Sequence, residues 1–158
     1  MAFITIRLIR SPGVVSGVIS FLTGLPSHAE ALTPEGTWLG AHAGSGIQER
    51  DYDYIEPVWE RRYAIPCTDA QLAAMMAWGR SKIGVANYDY WDVIGIAIHD
   101  RKMHHLGDYD CSEFVTVMLA LQGIELFNIE IELAYLVTPR DIHLSPVLRG
   151  KLLPGSIG

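Results

Sequence analysis

Cysteine is scarce in this sequence. Its 158 residues include only two cysteines, Cys67 and Cys111, and neither belongs to a CxxC pair or to a zinc-knuckle spacing. This scarcity argues against a disulfide-rich scaffold and against a cysteine-ligated zinc module. A single disulfide between the two cysteines stays open, with no specific feature in its favour.

Long apolar runs and clusters of basic residues are also missing. No stretch approaches the roughly 20 apolar residues of a membrane span, and basic residues form no cluster larger than an adjacent pair. With a net charge of −6, the sequence predicts no transmembrane segment and no nucleic-acid partner. The N-terminal region imitates a signal peptide only crudely, because Pro12 and Gly13 interrupt it. A cytoplasmic location is therefore the default expectation, and export by a route without a signal sequence stays open.

What is present is the composition of a folded domain. Hydrophobic residues make up 49% of the chain and charged residues 19%, which indicates a globular protein with a sizeable core. The length predicts one domain over residues 1–158. The tail after about residue 148 is rich in glycine and proline and is expected to be irregular.

The most informative stretch surrounds Cys111. Asp110 is a good helix N-cap, and Glu113 three positions later completes a capping-box-like pair. Apolar residues then recur at helical spacing, and Gly123 predicts the end of the helix. Cys111 thus takes the first helical position, where unsatisfied backbone N–H groups and the helix dipole favour a thiolate. The alternative is a small buried hydrophobe at a helix end, since free cysteine is often buried.

A second local signal is a turn between two short extended runs, residues 27–32 and 37–43. Pro34 and Glu35 suit the centre of a type I turn, and Gly36 suits the left-handed residue that follows. This chemistry predicts a three-residue hairpin loop with a G1 bulge.

That loop length sets the pairing of the two runs. With Thr33 opposite Thr37, counting outward places His28 directly opposite His42. Opposed residues have Cβ atoms about 4.5 to 5.5 Å apart, so the two imidazoles would share one face of the hairpin. Glu30 lies two residues after His28 and on the same face. A change of one residue in the loop would move one histidine to the other face.

The remaining patterns predict an α+β fold, in which a small antiparallel sheet packs against helices. A capping box at Thr68 and Gln71 begins one helix, and Gly84 stops it. Further strands are predicted at residues 2–9, 46–50 and 58–65, and residues 129–137 show partial alternation. Further helical segments are predicted at residues 16–23, at residues 91–98 and from Thr138-Pro139.

These predicted elements carry the side chains that nucleophilic catalysis by cysteine requires. A cysteine with a histidine base, oriented by a further polar group, is the minimum constellation for acyl transfer through a thioester intermediate. His28 suits the base and His42 the orienting partner, or the roles are reversed. Glu30 is a third candidate for polarising the site.

Two further groups of residues are candidates for a functional role, a histidine cluster and an aromatic pair. The cluster His99, His104 and His105 fits no helical metal pair, so a solvated loop and no metal site are predicted there. Tyr88 and Trp91 lie just before a predicted helix, where they would either pack in the core or line a substrate cleft. No cofactor is predicted.

Together the motifs resemble the circularly permuted papain-like cysteine hydrolases related to the NlpC cell-wall peptidases. This group includes the YiiX-type proteins and, more distantly, lecithin retinol acyltransferase. In its members a Ser-His strand comes first and a Cys-Ser-Glu helix comes late, and here Ser27-His28-Ala29-Glu30 precedes Asp110-Cys111-Ser112-Glu113. Gly40-Ala41-His42 falls where the third polar residue stands, which is a histidine in the acyltransferase-like branch. Tyr88-Asp89-Tyr90 resembles the segment whose tyrosine lies near the nucleophile.

The resemblance implies a permuted papain-like fold of the NlpC type and a cysteine peptidase or amidase. It implies that Cys111, His28 and His42 are catalytic, with Tyr88, Glu30 and Trp91 near the substrate. The expected substrate is a peptide, a peptidoglycan fragment or an acyl lipid. Two alternatives stay open: a lipid or thioester hydrolase or acyltransferase, and a non-catalytic binding or structural protein that keeps the fold.

Overall fold

The computed structural model describes residues 1–12, 26–87 and 108–155. Within them the chain is a small α+β protein with one five-stranded antiparallel sheet in the order β4-β3-β2-β1-β5. The strands are β1 (Ala2–Arg10), β2 (His28–Leu32), β3 (Trp38–His42), β4 (Gly46–Arg50) and β5 (Trp59–Cys67). The helices are α1 (Asp69–Ser81), α2 (Cys111–Ala120) and α3 (Pro139–Leu144), with 3-10 helices at Ile131–Leu136 and Pro146–Leu148. No helix in these ranges is long and apolar enough to cross a membrane.

The hairpin between β2 and β3 has the predicted turn and register. The Thr33 N–H donates to the Thr37 carbonyl at 2.8 Å, and the pairing of the two strands continues from there. Gly36 has a φ of 87°, and its N–H donates to the Thr33 carbonyl, as a type I turn followed by a left-handed residue requires. This loop places His28 and His42 side by side, with ring centroids 4.9 Å apart.

Alternation along β1 and β2 separates the two faces of the sheet. On one face Ile6, Leu8 and Ala29 join the main core, which also contains residues of α1 and α2. On the other face Arg7 lies opposite Glu30, because these positions pair across the two strands. The polar residues of β2 are therefore kept out of the main core, although they are buried.

The three predicted helix starts that lie in the described residues are confirmed, including that of α3 at Thr138 and Pro139. Thr68 and Gln71 form the capping box of α1, and Asp110 caps α2 by accepting the N–H groups of Ser112 and Glu113. Gly79 in α1 allows close packing, since a Cβ there would lie 2.7 Å from a methyl carbon of Leu39 in β3. The same Cβ would lie 3.2 Å from the Phe114 ring, so this glycine also lets α2 pack closely against α1.

Other expectations differ in detail. The run at 129–137 contains the 3-10 helix Ile131–Leu136 instead of a strand, and this helix packs on α2. The strand β5 continues through Pro66, which an edge strand tolerates. The tail is not wholly irregular, since Leu152 bridges to β5 at Tyr63. The predicted helices at 16–23 and 91–98 lie outside the described residues.

Candidate active site

The thiol of Cys111 lies at the capped start of α2. The Asp110 carboxylate accepts the N–H of Ser112 at 2.6 Å and that of Glu113 at 2.8 Å. The cap therefore takes the second and third N–H groups of the helix and does not use that of Cys111. The Cys111 residue is 3% exposed, and its sulfur is not part of a disulfide.

His28, the first residue of β2, is the partner of this thiol. Burial by itself would lower the pKa of His28, but the charge and hydrogen bond of Cys111, together with the Glu30 carboxylate, raise it to about 10. The side chain keeps 15% of its surface exposed, so it lies at the border of the cluster. A histidine held in the charged form beside a thiol favours the thiolate.

Glu30 forms the centre of the cluster and is fully buried. Its Oε1 accepts a hydrogen bond from Arg7 Nε at 2.6 Å, and its Oε2 accepts one from the Tyr54 hydroxyl at 3.0 Å. The same Oε2 lies 3.5 Å from His28 Nε2, an ion-pair distance. Burial would raise the pKa of Glu30, but His28, Arg7 and His42 lower it to about 2. Glu30 is therefore a carboxylate at every pH at which the protein would work.

The opposite strand makes room for Glu30. Gly40 lies across from it, and a Cβ at Gly40 would come within 3.0 Å of the Glu30 Cβ. Any side chain at this position would push the carboxylate away from its partners. Close packing against Glu30 therefore explains why a glycine suits position 40, and this explanation does not depend on catalysis.

His42 lies beside the pair and is 4% exposed. Its Nε2 is 3.9 Å from Glu30 Oε2, and the edge of its ring meets the Tyr54 ring at a centroid distance of 5.7 Å. Burial first, and then the positive charge of His28, lower the pKa of His42 to about 3. His42 is therefore neutral at physiological pH, which contrasts with the charged state of His28.

Arg7 stabilises the cluster through its ion pair with Glu30. Its guanidinium lies 4.0 Å from the centroid of the Trp38 ring, and its Nη1 is 3.6 Å from the carboxylate of Glu60. Arg7 is 1% exposed, and it forms a second, very short contact with Glu30 through Nη2. Removing the guanidinium would leave a buried carboxylate without its strongest partner.

The structure brings four of the predicted site residues together: Cys111, His28, His42 and Glu30. The other two, Tyr88 and Trp91, lie outside the described residues, as does the cluster formed by His99, His104 and His105. The last residue before Tyr88 is anchored near the site. The Tyr109 N–H donates to the Asn87 carbonyl at 3.2 Å, two residues before Cys111.

Sequence reasoning missed Arg7 and Tyr54. A charged residue between Ile6 and Leu8 on an apolar strand was the available signal for Arg7, because such a residue needs a buried partner. Its partner Glu30 follows from the register of β1 against β2, and 17 residues separate these strands in the sequence. Tyr54 lies in the loop between β4 and β5, where no pattern marks it.

Comparison of the sequence with models of known protein families gives no match, and comparison with curated proteins gives none either. Any functional conclusion has to come from the side chains themselves.

Proposed function

We propose that the protein is a cysteine hydrolase that cleaves an amide bond, in a peptide or in the stem peptide of peptidoglycan. The observation that carries this proposal is the contact between Cys111, at the capped start of α2, and His28, at the start of β2. A thiol paired with an imidazole is the minimum for nucleophilic acyl transfer.

In the first half of the reaction the Cys111 thiolate attacks the carbonyl carbon of the amide. The backbone N–H of Cys111, which the Asp110 cap leaves unused, donates to the oxyanion of the tetrahedral intermediate. The His28 imidazolium then gives its proton to the leaving amine, and the C–N bond breaks. The products of this step are the free amine and a thioester on Cys111.

In the second half a water molecule attacks the thioester. His28, now neutral, accepts a proton from the water as the new C–O bond forms, and the C–S bond breaks. The carboxylic acid leaves, and the thiolate and imidazolium are restored. No oxidant, reductant or cofactor is needed for this cycle.

Glu30 and His42 take different supporting roles. Glu30 lies 3.5 Å from His28 and carries a negative charge, so it orients the ring and stabilises its charged form. His42 is neutral and packs beside the ring, which limits its contribution to shape and polarity. We assign the orienting role mainly to Glu30, although sequence reasoning gave it first to His42.

A permuted papain-like fold of the NlpC type is part of the proposal. The chain order, with the histidine strand before the cysteine helix, supports it, as does the small antiparallel sheet beside a helix that begins with the cysteine. The proposed reaction of Cys111 and His28 does not depend on the fold assignment, because it rests on the contact between the two side chains.

The direct test compares hydrolysis by the unmodified chain and by two matched variants, C111S and C67S. Peptidoglycan fragments and chromogenic peptide amides serve as substrates, and an acid quench followed by mass spectrometry traps any acyl group on Cys111. C111S should reduce the turnover of a responsive substrate by about 1,000-fold or more, whereas C67S should leave it unchanged. Equal turnover by C111S and the unmodified chain would contradict the proposal.

A second candidate is hydrolysis or transfer of an ester- or thioester-linked acyl group. The feature that favours it is the His28–His42 pair, 4.9 Å between ring centroids, since a histidine as the third polar residue marks the acyltransferase-like branch. A fatty-acyl thioester offered alongside the peptide amides separates the two candidates. Turnover of the thioester alone, with loss in C111S, selects the second.

A further inference from the structure

The three side chains beside Cys111 have the spacing of a metal site. The ligating atoms of His28, Glu30 and His42 all lie within 4.8 Å of one another. Glu30 Oε2 is 3.5 Å from His28 Nε2 and 3.9 Å from His42 Nε2. Tetrahedral ligands at about 2.1 Å from a zinc ion are about 3.4 Å apart. The two distances to Glu30 therefore need to shorten by about 0.5 Å or less, and the separation of the two histidine nitrogens, which is within 4.8 Å, by up to about 1.4 Å.

The nitrogen atoms that face this space are without hydrogen-bond partners. Within residues 1–12, 26–87 and 108–155, neither His28 Nε2 nor His42 Nε2 has one, although both atoms are buried. Buried polar atoms are nearly always satisfied, and each exception needs an explanation. A metal ion between the two imidazoles would satisfy both nitrogens at once.

The surroundings of Glu30 leave one oxygen available and also set a limit on affinity. Arg7 holds Oε1, and Oε2 accepts a hydrogen bond from the Tyr54 hydroxyl at 3.0 Å. A carboxylate oxygen has a second lone pair, so Oε2 can ligate while the ion pair with Arg7 stays in place. The charges of Arg7 and Arg50 both act on His42, and they also oppose a divalent cation. We therefore expect binding that is weaker than at a structural zinc site and reversible by mild chelation.

We propose that His28, Glu30 and His42 bind a Zn²⁺ ion. Two imidazoles and one carboxylate suit zinc, and three protein ligands leave its fourth position open. This site goes beyond the hydrolase assignment, because binding depends on the three side chains whether or not the chain is an enzyme.

One consequence of the zinc site rests on the proposed function. An imidazole that coordinates zinc through Nε2 keeps its proton on Nδ1, so it can no longer accept a proton from the thiol or from water. Zn²⁺ binds the lone pair of Nε2, so any proton on that nitrogen leaves to solvent, and no oxidation state changes. Zinc would act as a reversible inhibitor of the cysteine chemistry.

The test measures Zn²⁺ binding by calorimetry and by competition with a chromogenic chelator, with zinc as the only ligand. H42A and E30Q should each weaken binding by about tenfold or more, whereas the control H143A should leave it unchanged. His143 is a suitable control because it hydrogen-bonds Tyr63 and lies on α3. Far-UV circular dichroism checks that each variant is folded.

A spectroscopic measurement keeps the proposal falsifiable if H42A or E30Q does not fold. Co²⁺ added to the unmodified chain should give the visible bands of a nitrogen and oxygen site, without the near-ultraviolet charge-transfer band of a thiolate ligand, and C111S should give the same spectrum. Absence of binding, a thiolate band that C111S removes, or equal binding by E30Q, H42A and the unmodified chain would overturn the proposal. Hydrolysis in metal-free buffer tests the enzyme assignment separately, so the two failures are distinguishable.

Discussion

The two cysteines of this chain are close to a matched pair. Both are free and buried, at 3% exposure for Cys111 and 8% for Cys67, and both lie next to the start of a helix. They differ in their partners. Cys111 has the charged His28, whereas burial, with a further contribution from the acidic Asp69, raises the pKa of Cys67 above its ordinary value. We therefore expect the imidazole, and not proximity to a helix start alone, to make Cys111 the more reactive thiol.

The largest expected effect concerns the buried ion pair beneath His28. Arg7→Met leaves the Glu30 carboxylate without its strongest partner, so the free energy of unfolding should fall by about 3–5 kcal/mol. The matched control is Arg80→Met, which removes the two ion pairs of a partly exposed arginine, with Glu35 and Glu49, and should cost at most about 1 kcal/mol. Urea denaturation measures both losses. Equal losses would show that the Arg7–Glu30 pair is not a buried support of the site.

Removal of the imidazole should abolish the difference between the thiols. His28→Ala takes away the positive charge beside Cys111, so alkylation of Cys111 by iodoacetamide at pH 7 should slow by on the order of 100-fold. The rate at Cys67 should not change. H143A is the control, since His143 pairs with Tyr63. An unchanged rate at Cys111 in H28A would show that the two thiols differ for another reason.

Glu30 and His42 should have unequal effects. Glu30→Gln keeps the shape but removes the charge that supports the His28 imidazolium, so alkylation of Cys111 should slow by about tenfold. His42→Gln removes a neutral ring and should change the rate by less than about threefold. Rates are read by mass spectrometry of the labelled peptides. A larger loss in H42Q than in E30Q would return the orienting role to His42.

The smallest expected effects are on the alkylation rate of Cys67, which is the only cysteine left in C111S. Because burial raises the pKa of Cys67 above that of an ordinary thiol, its alkylation rate should rise about tenfold per pH unit up to about pH 8.5 without levelling. Asp69 also raises this pKa from an exposed position, so D69N should roughly double the rate at pH 8. A rate that levels below pH 8 would mean that Cys67 is activated as well.

The parts of the site that could be predicted are those that local chemistry determines. The loop Thr33–Gly36 fixes its own turn type, and the turn fixes the register of β2 against β3, so the His28–His42 neighbourhood follows from a few adjacent residues. The cap of α2 is equally local, because Asp110 bonds N–H groups two and three residues later. Both predictions were made from sequence alone and are confirmed.

The parts that could not be predicted depend on long-range pairing. Arg7 meets Glu30 because β1 pairs with β2, and no tight turn in the sequence fixes that register. The contact between Cys111 and His28 joins residues far apart in the chain, and from the sequence only the resemblance to a family implies it. The 3-10 helix Ile131–Leu136 was missed because packing on α2 overrode a weak strand pattern.

The most direct measurement is the ratio of the iodoacetamide alkylation rates of Cys111 and Cys67 in the unmodified, metal-free chain at pH 6.5. Both thiols are buried to a similar extent, so the ratio reports the partner and not access alone. Activation by His28 predicts that Cys111 reacts at least about tenfold faster than Cys67. Equal and slow reaction of the two cysteines would contradict the account and favour a non-catalytic binding or structural protein.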